Sequence, residues 1–257
     1  MTDLGLQEAI QAAGGVTELA RRIGISQPSI SNWTRVPAER VISVEAATGV
    51  ARAILRPDLY GTVNTNGADD VDLARAREYA LLAVLLLRAP DAALLRRLSV
   101  LRGDPSPLGV AHIDLADAAG KADAAKVERE YFNLFIGIGR GEVMPYGSYY
   151  LTGFLHERPL ARLREDLTAL GIERVEGQYE PEDHAGILCE IMSGIVSGQF
   201  GAPAGSDRRL FEKHLAPWLG RFFSDLEHAD DADFYRSAGA LGRTFMDIEL
   251  EAFALPA

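Results

Sequence analysis

The sequence is poor in the features that mark secreted, membrane-spanning and thiolate-metal proteins. Its 257 residues contain one cysteine, Cys189, which excludes an intramolecular disulfide and a site built from several thiolates of one chain. The longest apolar run, residues 79–87, is far shorter than the roughly 20 residues that span a bilayer. The first ten residues lack a basic segment followed by an apolar one, so no secretory signal is predicted. We therefore expect a cytoplasmic protein without a membrane partner.

An excess of basic charge is also lacking. The net charge is -11, so most of the surface should repel a nucleic-acid backbone. Residues 1–60 depart from this average, because their six arginines balance six acidic side chains and the remainder carries the whole negative charge. The N-terminal segment is thus the part of the chain where nucleic acid is least repelled.

Period-two alternation is almost absent, whereas many windows place apolar residues three and four positions apart. This pattern predicts an all-α protein. Between residues 57 and 72, proline, glycine, asparagine and aspartate concentrate and the helical period stops. We predict a small domain at residues 1–60, a linker at 61–72 and a larger domain at 73–257.

The spacing of Ala20, Gly24, Ile30 and Trp33 is typical of a helix-turn-helix. The first helix needs a small residue where the two helices touch, and the turn needs a residue that tolerates a positive φ. Ile30 and Trp33 would then pack one face of a second helix, predicted at residues 27–34, against the first. A plain helical hairpin with the same packing remains the structural alternative.

The second helix of this motif would present polar side chains to a partner. Ser26 is a candidate N-cap, and Pro28 lies in the first turn, where its missing N–H costs nothing. Glutamine and asparagine can bond to adenine in the major groove, while serine and arginine suit phosphate or mixed contacts. The predicted DNA-binding residues are Gln27, Ser29, Ser31, Asn32 and Arg35.

Most of residues 1–60 also resembles the YdaS-like branch of the Cro/CI helix-turn-helix proteins. The resemblance rests on Trp33, the turn at residues 36–40, the E-A-A-T-G stretch at 45–49 and the L-R-P-D stretch at 55–58. It implies a regulator that binds an operator as a dimer. Because the segment is electrically neutral, we expect low non-specific affinity for DNA and a greater need for dimerisation.

The larger domain offers little catalytic chemistry. Its five histidines are scattered, and no zinc-protease, serine-hydrolase or phosphate-loop motif is present. The alternating glycines at 137, 139 and 141 follow a predicted helix rather than a strand, which argues against a dinucleotide fingerprint. We therefore predict no enzymatic activity, no cofactor and no metal site.

Two groups of residues stand out in this domain. The first is Y-F-N-L-F-I-G at residues 131–137, continued by M-P-Y-G-S-Y-Y at residues 144–150. The second is E-P-E-D-H at residues 180–184, which leads into an amphipathic helix. Pro181 would fix the entry to that helix, and the acidic residues favour its positive end, so capping alone is a sufficient structural explanation.

These segments resemble the TorD/DmsD/NarJ superfamily of redox-enzyme maturation chaperones, as do H-L-A-P-W at residues 214–218, F-Y at 234–235 and a terminal helix. The resemblance covers about residues 73–255, with the motifs in the family's order. It implies a helical bundle that binds the twin-arginine signal peptide of a molybdopterin enzyme until the cofactor is loaded. The implied partner is the catalytic subunit of that enzyme.

The resemblance assigns peptide binding to Asp183 and His184, with Glu180 in the same motif. The further residues that it places along the groove are Tyr131, Phe135, Pro145, Tyr146, Ser148 and Tyr150. A groove for a signal peptide with two arginines should be apolar with an acidic rim. The competing interpretation makes the aromatic residues core and His184 a hydrogen-bonded histidine at a helix start.

Three functions stay open at this point. The first is a molybdoenzyme chaperone with a DNA-binding module that couples client status to transcription. The second is a transcriptional regulator whose larger domain dimerises or senses a ligand. The third, a nucleotide-binding enzyme, has no phosphate-cradling loop in a suitable context to support it.

Overall fold

The computed structural model describes residues 3–56, 70–174 and 180–255, and its contacts divide the chain into two compact units, Met1–Gly67 and Ala68–Ala257. The described residues form helices, turns and one isolated antiparallel bridge between Tyr146 and His184, which confirms the all-α prediction. Most of the predicted linker lies outside the described residues. A helix begins at Asp70, so the last three residues of the predicted linker, 70–72, are helical.

The N-terminal unit consists of short helices around a small core. They are α1 (Leu4–Ala13), α2 (Val16–Ile23), α3 (Gln27–Ser31), a 3-10 turn (Ala38–Arg40), α4 (Val41–Thr48) and α5 (Arg52–Leu55). Leu6, Leu19, Ile30, Val41 and Leu55 are among the core residues, and Trp33 packs against them while partly exposed.

The junction of α2 and α3 has the expected helix-turn-helix geometry. Gly24 adopts a φ of 72°, and its N–H donates to the carbonyl of Ala20, so the first helix ends in a left-handed residue. The prediction that the second helix continues to Thr34 is wrong, since α3 ends at Ser31. The Ser31 hydroxyl donates to the carbonyl of Gln27, a local bond that competes with helix continuation.

The C-terminal unit is a larger helical bundle. Its helices are α6 (Asp70–Leu87), α7 (Ala92–Leu98), α8 (Pro107–Lys121), α9 (Ala124–Tyr131), α10 (Gly147–Thr152), α11 (Arg158–Ala169), α12 (Ala185–Val196), α13 (Ser206–Leu210), α14 (Leu219–His228) and α15 (Phe234–Ala254). Two π-helical turns, Phe132–Ile136 and Phe211–Leu215, continue α9 and α13. The bundle pairs α6 with α12, and α15 with α8 and α14.

Buried charged groups tie distant parts of this bundle together. Glu249 on α15 is 1% exposed, receives two hydrogen bonds from Arg75 of α6 at 2.7 and 2.9 Å, and accepts another from the Tyr79 hydroxyl. Glu130 accepts hydrogen bonds from three main-chain N–H groups at the start of α15. These carboxylates fix the terminal helix against α6 and α9.

Candidate functional site

The structure brings together the two sequence segments that were singled out in the larger domain. Gly147 N–H donates to the carbonyl of Asp183 at 2.9 Å, and Ala185 N–H donates to the carbonyl of Pro145 at 2.8 Å. With the bridge between Tyr146 and His184, these bonds clamp the start of α10 to the start of α12. Pro145 is buried in this junction.

Asp183 is the buried centre of the junction. Its side chain is 3% exposed, and Oδ2 accepts a hydrogen bond from the Ser148 N–H at 2.7 Å. Its Oδ1 and the Ser148 hydroxyl are both buried and have no hydrogen-bond partner among the described residues. A buried carboxylate normally uses all its acceptor sites, so this pair is the least satisfied polar group of the junction.

His184 caps α12. Its Nδ1 accepts a hydrogen bond from the Gly186 N–H at 3.0 Å, which requires the proton to lie on Nε2. Burial lowers the pKa of His184 to about 4, against the opposing charges of Glu180 and Asp183. The imidazole is therefore neutral at physiological pH.

An acidic and aromatic surface lies beside this junction. The Tyr146 hydroxyl donates to Glu180 Oε2 at 2.7 Å, and its ring contacts the His184 ring at a centroid distance of 5.3 Å. Burial, followed by the charge of Glu180, raises the pKa of Tyr131 to about 12. Burial, followed by its hydrogen bond to Glu180, raises the pKa of Tyr146. Glu180 is exposed, so its carboxylate forms the accessible edge of the surface.

Phe135 and Tyr150 lie in aromatic clusters of their own. Phe135 is 8% exposed and packs edge-on against Tyr131 and Tyr235. The ring of Tyr150 packs against Trp218, and its hydroxyl donates to Asp225 at 2.8 Å. Phe135 and Tyr150 thus pack against other aromatic rings, in agreement with the competing interpretation of the aromatic residues as core.

Asp183 is also among the residues that line a small cavity of about 100 Å³. Its polar lining comprises Asp183, Arg162, Lys213 and His214, and its apolar lining includes Leu151 and Trp218. Arg162 and Lys213 were not predicted from the sequence, because neither lies in a recognisable motif. Only the packing of α11 and the second π-helical turn brings them close to Asp183.

The predicted DNA-binding residues of the N-terminal unit are all exposed. Gln27, Ser29 and Ser31 lie on α3, whereas Asn32 follows its last residue and Arg35 lies in the next turn. Ser26 occupies the N-cap position, but its hydroxyl bonds to that of Ser29 at 2.7 Å instead of the main chain.

Much of the arginine charge near this surface is paired within the unit. Glu18 accepts hydrogen bonds from Arg21 and Arg22, which lower its pKa to about 2. Arg52 pairs with Glu45, and the largely buried Arg56 donates to the carbonyl of Val36 at 2.8 Å. These contacts compete with phosphate for the same guanidinium groups.

Within residues 3–56, 70–174 and 180–255, no three histidine, cysteine, aspartate or glutamate side chains are grouped so that they could hold a metal ion. Over those same ranges, no helix has the length and apolar character needed to cross a membrane.

The described residues thus form a helix-turn-helix module and an all-helical bundle that carries an acidic and aromatic surface. Residues 102–224 match the family model described as nitrate reductase delta subunit, and residues 6–64 match the model described as bacterial toxin YdaS. The predicted resemblance to the TorD/DmsD/NarJ superfamily and to the YdaS-like proteins is thereby confirmed.

The chain is also similar to individual proteins. Two TorD chaperone proteins from strains of Vibrio cholerae serotype O1 are each 26% identical over 126 residues, which cover 46% of this chain. The chain spans about 57% of the length of these curated relatives. A solved structure from Archaeoglobus fulgidus, described as a redox enzyme maturation protein, is 20% identical over 67% of this chain and 93% of its own, with a TM-score of 0.49.

Proposed function

We propose that the C-terminal unit is a cytoplasmic maturation chaperone that binds the twin-arginine signal peptide of a molybdopterin oxidoreductase catalytic subunit until the cofactor has been inserted. The observation that carries this proposal is the clamp between the E-P-E-D-H segment and the P-Y-G-S segment, which sets Glu180 beside Tyr146. The named activity of the TorD relatives supports it.

The exposed edge of the clamp has the chemistry that an arginine requires. Glu180 offers a carboxylate for charge-assisted hydrogen bonds, and the half-buried ring of Tyr146 offers a face for a guanidinium. Arginine suits such a site better than lysine because its planar group can stack and bond at once.

The buried part of the clamp positions this edge. Asp183 holds the first turn of α10 through Ser148, and His184 holds the first turn of α12. Since both first turns are fixed, Tyr146 is held in place before a peptide arrives, which lowers the entropic cost of binding. His184 is neutral, and its Nδ1 is engaged in capping α12. These properties suit a role in binding better than a role in proton transfer.

Glu180→Gln tests the role of the exposed carboxylate. We expect the dissociation constant for a twin-arginine peptide to rise about tenfold, because one charge-assisted interaction is lost. Fluorescence anisotropy of the full chain measures it. Glu190→Gln, an exposed position on α12, is the matched control and should change nothing.

The peptide supplies the second half of this test. With both peptide arginines replaced by glutamine, Glu180→Gln should cost no further affinity, as in a double-mutant cycle. Equal losses for the two peptides would show that Glu180 does not contact the arginines. Absence of binding to the unaltered chain would contradict the chaperone proposal itself.

A second candidate function concerns the N-terminal unit, which we propose binds DNA through the exposed polar residues of α3 and the following turn. The left-handed Gly24 and the YdaS match support this proposal. DNA binding by the N-terminal unit is also what the alternative function requires, a transcriptional regulator whose larger unit dimerises or senses a ligand. In-vitro selection with the full chain and randomised duplex DNA should recover one sequence, and recovery of none would contradict DNA binding.

A further inference from the structure

A cleft separate from the clamp lies between the end of α11 and the segment that runs from residue 203 through α13 into the second π-helical turn. Its volume is about 520 Å³, within the range of about 300–1,000 Å³ that is usual for small-molecule sites. The residues that line it lie outside the E-P-E-D-H and P-Y-G-S segments. The cleft is therefore a second candidate site on the C-terminal unit.

One wall of the cleft presents hydrogen-bond donors. Ser206, Arg209 and Lys213 are spaced three and four positions apart, so they share one face of the helical segment formed by α13 and the second π-helical turn. Ser206 is 2% exposed, and its hydroxyl oxygen accepts a hydrogen bond from Arg209 at 3.3 Å, which leaves the hydroxyl hydrogen without an acceptor among the described residues. A hydroxyl, a guanidinium and an ammonium thus border the same space.

The two carboxylates that border the cleft are already paired. Asp166 Oδ2 lies 2.6 Å from Lys213 Nζ and 2.5 Å from His214 Nε2. Glu212 pairs with Arg208, with 3.4 Å between Glu212 Oε1 and Arg208 Nη1. Their negative charge is therefore offset within the protein and does not set the charge that a ligand meets.

Arg209 is the cation of the cleft that stays unmatched. It forms no ion pair with any residue in the part of the chain that the structure describes, and its bond to Ser206 engages one of its two terminal nitrogens. Lys213 keeps further donors beside its bond to Asp166, because an ammonium carries three N–H groups. The charge available to a ligand in the cleft is thus positive.

The rest of the lining is apolar. Ala169 ends α11 and Leu170 follows it, while Leu210 comes from α13 and Pro203 from the preceding loop. The loop is held in place, because the Ser206 N–H donates to the carbonyl of Pro203 at 3.1 Å. An apolar lining with a few polar groups that converge on one wall is the usual composition of a small-molecule site.

We propose that this cleft binds a small organic acid, whose carboxylate meets Arg209 and Lys213 and whose apolar body lies against the opposite wall. A carboxylate can accept two parallel hydrogen bonds from a guanidinium and a further one from the Ser206 hydroxyl. Because the cleft and the clamp are lined by different residues, this site gives the C-terminal unit a binding function of its own, which does not depend on the signal peptide.

Isothermal titration calorimetry of the full chain with naphthoate tests this site. Naphthoate carries one carboxylate on a flat apolar body, and naphthamide is the same body without the charge. We expect naphthamide to bind about tenfold more weakly than naphthoate, because it cannot form the charge-assisted hydrogen bonds. Arg209→Gln should raise the dissociation constant of naphthoate about tenfold and leave that of naphthamide unchanged.

Two further variants locate the binding. Arg97→Gln, at an exposed position of α7, is the matched control for the loss of one arginine and should change neither affinity. Ala169→Trp fills the cleft from the wall opposite Arg209, and it should abolish the binding of both probes. Because Ala169 is exposed, this larger side chain leaves the core of the bundle undisturbed.

Absence of naphthoate binding to the unaltered chain would overturn the proposal, as would unchanged binding in Arg209→Gln or in Ala169→Trp. An equal loss in Arg97→Gln would assign the effect to net charge and overturn it as well. Inorganic phosphate that binds as tightly as naphthoate would show that the apolar wall takes no part in recognition, which contradicts an organic acid as the ligand. The twin-arginine peptide titrations test the clamp separately, so either proposal can fail while the other stands.

Discussion

In the N-terminal unit Glu18 binds Arg21 and Arg22 at the surface, whereas in the C-terminal unit Glu130, Asp183 and Glu249 are buried and hold the main chain or one arginine. Exposed ion pairs contribute little to stability because water and salt screen them. A buried carboxylate that loses its partner leaves an uncompensated charge in a medium of low polarity. Similar side chains therefore serve a replaceable surface role in one unit and a structural role in the other.

The largest expected effect on stability comes from removing the charged partner of a buried carboxylate. Arg75→Met should lower the free energy of unfolding of the C-terminal unit by about 3–5 kcal/mol, because Glu249 would remain buried without its charged partner. The unit contains Trp218, so denaturant unfolding can be followed by fluorescence in a Trp33→Phe background. Arg77→Met, at an exposed position of α6, is the control, and an equal loss there would refute the assignment.

The second effect concerns the neutral, buried His184. Its pKa in the folded chain, about 4, lies below the ordinary value of 6.5, so the unfolded state binds more protons between these values. Stability should therefore be complete above about pH 6.5 and fall by about 2–4 kcal/mol as the pH drops to about 4.

His184→Asn is the matched variant for this titration. Asparagine retains an acceptor for the Gly186 N–H but cannot titrate in this range, so the variant should lack the fall in stability of about 2–4 kcal/mol between about pH 6.5 and pH 4. Parallel pH profiles for the two proteins would show that another group controls the acid sensitivity.

The smallest expected effect concerns the affinity of the N-terminal unit for DNA. Asn32→Ala should weaken binding to the selected DNA sequence by about 1–3 kcal/mol if Asn32 contacts a base, and leave binding to unrelated DNA unchanged. Anisotropy titrations at fixed salt measure both. Gln11→Ala, an exposed change on α1, is the control, and an equal loss on both DNAs would point to a backbone contact instead.

Local signals predicted the helices well where they act within one element. The helices α1, α2 and α4 each end at a glycine with positive φ, a signal that the local sequence carries. The π-helical turns, α5 and α10 are short or irregular, and such elements depend on tertiary contacts. Thus α10 begins where Asp183, 35 residues away in the chain, binds the Ser148 N–H.

The sequence by itself determined the helical class, the helix-turn-helix spacing and the two families that the segments resemble, because periodicity, turn chemistry and motif order are local properties. Tertiary structure alone decided that Asp183 faces the main chain of α10, that Glu180 remains exposed beside Tyr146, and that Ile138 stands free of the core. Neighbouring residues of one motif point in different directions, and only packing between helices decides which of them a ligand can reach.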